Sequence, residues 1–169
     1  MNKGENKLKK FTAILLTLII AVLSTGSISA SAAIVPPVTQ TQIEYLDNGD
    51  YVETVISDVP TDNATISVFS TTKTITKTKT TYYKNSSGAV MWYIRITATF
   101  TYNGSTSKCT SCSHSASAPG TYWSIKSVSS SKSGNSATAK AVATYKTGLI
   151  THDYSASVTI KCSANGTVS

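Results

Sequence analysis

The clearest pattern of apolar and polar positions is the run AVMWYIRITATFTY, Ala89 to Tyr102. Val90, Trp92, Ile94, Ile96, Ala98, Phe100 and Tyr102 fall on one side, and Met91, Tyr93, Arg95, Thr97, Thr99 and Thr101 on the other. Alternation with period two predicts a β-strand whose even-numbered face lies in the core. Asn103-Gly104 follows at once and predicts an antiparallel return. With a two-residue loop, Cys109 lies opposite Ala98 and points inward, while Cys112 opposite Arg95 and His114 opposite Tyr93 point outward. A four-residue loop keeps that parity and a bulge reverses it.

The same reading extends to both sides of this strand. Asn48-Gly49, inside IEYLDNGDYVETVI, predicts a hairpin, and SDVPTDNAT, Ser57 to Thr65, a loop. TTKTITKTKTTYYK, Thr71 to Lys84, reads as a strand with little to bury, its lysines suited to guarding a sheet edge. After the break at SAPG, Trp123 and Ile125 share a face. Ala137, Ala139, Ala141, Ala143 and Tyr145 share another, and Tyr154, Ala156, Val158, Ile160 and Cys162 a third. Small residues in the alanine row would admit the bulk of Trp92 or Trp123 from a facing sheet. Strands at this spacing predict an all-β fold, an antiparallel β-sandwich of immunoglobulin-like or related type.

Composition sets the boundaries. Four lysines in MNKGENKLKK, the apolar run FTAILLTLIIAVL and the small residues of SISASAA make residues 1–32 a secretory signal peptide, with cleavage expected after Ala32. The apolar run is shorter than the ~20 residues that span a bilayer, so no stable membrane insertion of the mature chain is expected, and the protein is predicted to be secreted and extracellular. About 137 residues then remain, enough for one domain. Residues 33–69 carry six acids and no Lys or Arg, whereas Ser70 onward carries eleven basic residues and one acid, Asp153. This divides the mature chain into an acidic linker and hairpin, 33–69, and a basic Ser/Thr-rich sandwich, 70–169.

Three cysteines in an exported chain allow one bridge and one remaining thiol. The pleat selects Cys109–Cys162, both inward, and leaves Cys112 as a free thiol. The competing reading is a zinc ion on Cys109, Cys112, His114 and Cys162, a plausible tetrahedral N/S set that lacks the usual second knuckle.

Catalysis needs a positioned acid, base, nucleophile or metal. The basic segment offers Asp153, His114 and His152, with no paired carboxylates and no hydrolase, metalloprotease or phosphate-loop motif. No enzyme and no cofactor are expected. The basic residues with flanking tyrosines, Lys73, Lys77, Lys79, Lys84, Arg95, Tyr82 and Tyr93, mark a candidate surface for an anionic cell-wall polymer or glycan. The alternative is a secreted antimicrobial or toxin-like protein whose acidic segment shields the basic body. A nucleic-acid partner is not expected for an exported chain without a binding motif, and the composition does not fix an oligomeric state.

From about Thr81 onward, AVMWYIRITATFTYNGSTSKCTSCS, SKSGNSATAKA and VTIKCSANGTVS resemble a group of small secreted proteins of Gram-positive bacteria. The resemblance implies export and a shared β-fold, and it carries no activity, partner or functional residue. Cys109, Trp123 and Cys162 also resemble the Cys…Trp…Cys spacing of immunoglobulin domains, with Ile160 in place of the corner tyrosine and a short tail after Cys162.

Overall fold

The computed structural model describes residues 40–59 and 71–169. The predicted signal peptide and most of the predicted loop at Ser57 to Thr65 lie outside them. Eight strands follow one another, with no helix among the described residues: β1 (Gln40–Tyr45), β2 (Tyr51–Asp58), β3 (Lys73–Lys84), β4 (Val90–Tyr102), β5 (Ser107–Ser117), β6 (Trp123–Ser133), β7 (Ser136–Thr147) and β8 (Ile150–Lys161). They form two antiparallel sheets, ordered β1-β2-β3-β4-β5 and β6-β7-β8, so every strand pairs with its sequence neighbour. The Greek-key crossings of an immunoglobulin sandwich do not occur in this order.

The core lies between the sheets. Trp92, Ile94, Ile96, Ala98 and Phe100 project from β4 and are all at most 1% exposed, as the alternation predicts. Against them stand Ala137, Ala139, Ala141 and Ala143 of β7 and Val158 and Ile160 of β8, also buried. The alanine row supplies the room for Trp92, whose ring stacks on Tyr83 at 4.2 Å and 3° and lies 6.4 Å from Trp123. Burial of each large side chain contributes about 1.5–3 kcal/mol.

Two connections depend on glycine. The β1–β2 turn spans five residues, Leu46 to Asp50, where Gly49 N–H donates to Leu46 O (3.0 Å) and Gly49 adopts φ 84°. Only a residue without Cβ takes that conformation at little cost. The chain passes from the larger sheet to the smaller at Gly120, whose N–H donates to Met91 O (3.0 Å); a Cβ there would come within 2.8 Å of the Met91 backbone.

Three expectations change. Strand β3 is not an edge: it is the middle strand of its sheet, with β2 on one side and β4 on the other. Lys77 and Lys84 are tolerated there because β2 supplies Asp58 and Glu53 beside them. Nor is the acidic hairpin set apart, since β2 pairs with β3 in unbroken register from Tyr51↔Lys84 to Asp58↔Lys77. The third change is in β5. The β4–β5 loop has four residues, with Tyr102 opposite Ser107, and a bulge then slips the register, so that Cys109 faces Phe100, Cys112 faces Ala98 and His114 faces Ile96. Cys112 and His114 are therefore turned toward the inner side, because the extra residue Thr110 reverses the parity.

Candidate functional site

The pleat divides the predicted polymer-binding residues between two faces. Lys73, Lys77 and Lys79 pair with Tyr102, Ala98 and Ile96 and so share the inner side of the sheet. Tyr82 pairs with Tyr93 and Thr80 with Arg95 on the outer side, which Lys84 shares. A single surface of all seven residues does not exist.

Lys77 forms an ion pair with Asp58 of β2. Lys79, between Ile56 and Ile96 in the register, is half-buried, and that burial lowers its pKa. Strand β3 touches β8 of the smaller sheet, whereas β1 and β2 touch only their own sheet. These two lysines thus sit at the rim of the core rather than on an open ligand surface.

The outer face holds the remaining four together. Tyr82 and Tyr93 rings are 5.6 Å apart and tilted by 51°. The Arg95 guanidinium lies 5.4 Å from the centre of the Tyr93 ring, donates from Nε to Thr80 Oγ1 (3.0 Å) and reaches the Tyr82 hydroxyl at 3.5 Å. These partners are hydroxyls and an aromatic face, so none of them is a carboxylate that would neutralise its positive charge. Lys84 is different. Its ammonium meets Glu53 Oε2 at 2.5 Å and lies within 6 Å of the Tyr51 and Tyr82 rings. The hydrogen bond that its ammonium donates to Glu53 raises the Lys84 pKa above its ordinary value. Tyr51 in turn meets Tyr45 at 5.7 Å. The result is a row of aromatic rings and cations running across the strands: Tyr45, Tyr51, Lys84, Tyr82, Tyr93, Arg95.

Beyond the row the same face is a lattice of hydroxyls. Thr74, Thr76 and Thr78 stand opposite Thr101, Thr99 and Thr97, and those three face Lys108, Ser111 and Ser113. Thr76 and Thr99 hydroxyls are 2.9 Å apart, as are those of Thr78 and Thr97. Strand geometry repeats these groups at about 4.8 Å across the strands and about 6.7 Å along them. On the outside of the smaller sheet lies a shallow hollow of about 340 Å³, lined by serines and by Lys140.

The cysteines are free thiols in the structure, so the predicted Cys109–Cys162 bridge is not formed. Cys109 and Cys162 are both buried, and their N–H groups donate to the adjacent carbonyls of Gly134 and Asn135, at 2.8 and 3.0 Å. Each sulfur turns to a local carbonyl instead of its expected partner, Cys109 Sγ to Ser111 O (3.3 Å) and Cys162 Sγ to Ser163 O (3.4 Å). Burial pushes both thiols up in pKa. Cys112 is half-buried beside Ser130, whose Oγ it approaches at 3.9 Å and which also meets His114 Nδ1 at 2.7 Å. Among the described residues no three His, Cys, Asp or Glu side chains gather as a metal site, so Cys109, Cys112, His114 and Cys162 do not converge on one point. No described helix is long and apolar enough to cross a membrane.

Comparison with protein-family models, with curated proteins and with solved structures gives no match. Sequence reasoning found four of the six members of the row and missed Tyr45 and Tyr51, together with Glu53, the partner of Lys84. The signal is present in the alternation of YVETVISD, but only the pairing of β2 with β3 brings these residues beside Lys84 and Tyr82.

Proposed function

We propose that the chain is an exported binding module that holds an extended anionic cell-wall polymer or glycan against the outer face of the five-stranded sheet. The observation that carries this reading is the Tyr82–Tyr93–Arg95 cluster beside a regular wall of threonine and serine hydroxyls. Arg95 meets an acidic group, and its planar fork suits phosphate or carboxylate. The tyrosines offer flat apolar area to sugar rings, and the hydroxyl lattice exchanges hydrogen bonds along the chain. Function by binding, without a catalytic step or a cofactor, is part of the same proposal.

The test is a pull-down of residues 33–169 on purified cell wall across a salt series. Binding should fall steeply as salt screens the charge. Arg95→Gln should weaken it about tenfold, the worth of one charge-assisted contact. Retention in high salt, or full binding by both Arg95→Gln and Tyr93→Ala, would sink the proposal.

A second reading, the shielded antimicrobial or toxin-like protein, draws support from the Lys77–Asp58 and Lys84–Glu53 pairs, which join the acidic segment to the basic one. The unbroken β2–β3 ladder weighs against a removable shield.

A further inference from the structure

The inner face of the three-stranded sheet continues past the end of the core. Beyond the buried Ala143, the face carries Tyr145, Tyr154 and Ile150, paired in register with His152, Ala143 and Thr147. Trp123 closes the core, 5.3 Å from the Tyr145 ring and 5.0 Å from Tyr154. From there exposure rises: Tyr154 is 46% exposed, Ile150 55%, and Leu149, at the β7–β8 turn, is fully exposed. Leu149 at the turn gains nothing from folding, since it buries no surface there.

A second, independent feature marks the same end. Tyr122 adopts φ 71°, a left-handed conformation that is unusual for a bulky side chain and costly to maintain. Its carbonyl accepts from Lys146 N–H (2.8 Å), and its ring, 61% exposed, stands edge-on to Tyr145 at 6.2 Å. The strain thus holds an aromatic ring out beside the tip. Charge completes the picture. His152 lies beside Tyr145 on this face and the exposed Lys146 on the opposite face of the same hairpin end, while the one acid in this region, Asp153, is tied to Lys126 (2.6 Å) and to the Thr144 hydroxyl (2.6 Å).

We infer that the β7–β8 tip docks on an anionic lipid surface. The order from the apex inward is aliphatic, then tyrosine, with Lys146 at the same level on the other face of the hairpin. That order matches the layers of a bilayer boundary, where aliphatic groups enter the acyl region, tyrosine rings prefer the headgroup level and cations meet anionic lipids. A protein or glycan partner has no need of that layering. The contact is interfacial and spans nothing, and it is independent of the polymer-binding reading because it uses the other sheet.

The test uses residues 33–169 in sedimentation with phosphatidylglycerol/phosphatidylcholine vesicles and with phosphatidylcholine vesicles alone, and tryptophan quenching by brominated acyl chains as a depth readout. Binding to the anionic vesicles, with quenching from Trp123 near the boundary, is expected. Leu149→Asp, at a position that contacts no core, should reduce it about tenfold or more. Tyr122→Gly, which relieves the strained φ and removes the ring, should reduce it less. Arg95→Gln should leave it intact, which separates this proposal from the polymer site. Absence of vesicle binding, unchanged binding by Leu149→Asp, or self-association through the tip in sedimentation velocity would overturn the inference.

Discussion

The two faces of the five-stranded sheet use the same residue types to opposite ends. On the outer face Lys84 is charged more firmly than a free lysine, because the Glu53 carboxylate accepts a hydrogen bond from its ammonium across the β2–β3 pair. On the inner face Lys79 is held below its ordinary pKa by burial. Tyrosines divide likewise: Tyr83 stacks on Trp92 in the core, while Tyr82, one residue earlier, meets Tyr93 outside. Period two makes this division, so a basic, Tyr-containing strand is not in itself a basic surface. What a lysine does here is decided by its parity and its cross-strand neighbour.

Removing the acidic hairpin is the harshest way to break the contrast. A chain beginning at Ser70 would lose the β2–β3 ladder, uncover the inner face next to Ile56, which is 8% exposed, and free Lys77 and Lys84 from their partners. We expect a loss of at least about 3 kcal/mol in urea unfolding, from one buried aliphatic side chain and several ladder hydrogen bonds. Stability equal to that of residues 33–169 would instead make the hairpin a detachable cover, and the shielded reading would gain.

A milder test uses the bulge that altered β5. Cys109 and Cys162 are buried with raised pKa values, whereas Cys112 is half-buried at the seam between the sheets. Thiolate is the reactive form, so one alkylation per native chain is expected near neutral pH, at Cys112. Two more should appear when the chain is unfolded without reductant. One native modification and none added on unfolding would mean that Cys109 and Cys162 are joined.

Much of the fold is legible in the chain. Alternation alone identifies the β4 core face, and the β1–β2 hairpin follows from Asn48-Gly49, although the turn is longer than the dipeptide suggests. Two things were not legible. The Thr110 bulge leaves no mark in SKCTSCSHS, because an extra residue in a polar strand changes parity without changing the composition. The central place of β3 was hidden because lysines in a strand usually protect an edge. Here the partners that make them tolerable, Asp58 and Glu53, are on β2, and only the pairing brings them alongside. The aromatic row was half-visible for the same reason, since Tyr51 reaches it only across that register.

The smallest effects sharpen the comparison most directly, because two lysines five residues apart should respond to pH with opposite sign. The Lys84 pKa is raised in the folded chain, so its contribution to stability is complete below the unfolded value near 10.5 and is lost as pH rises through the higher folded value. Glu53→Gln should remove that contribution, about 0.5 kcal/mol for a partly exposed pair, and flatten the decline at alkaline pH. The Lys79 pKa is lowered, so the folded chain binds its proton less tightly than the unfolded chain does. Its charge opposes folding at neutral pH, and that cost is relieved as pH rises from the depressed folded value toward 10.5. Lys79→Met keeps the stem that packs between Ile56 and Ile96 and removes the half-buried charge. It should therefore raise the stability in urea unfolding at pH 7 slightly, by about 0.5 kcal/mol or less after solvent screening, with the gain shrinking as pH rises toward 10.5. A destabilised Lys79→Met would show that the ammonium has a favourable partner at the rim, and the division of the lysines between a core face and a binding face would then have to be redrawn.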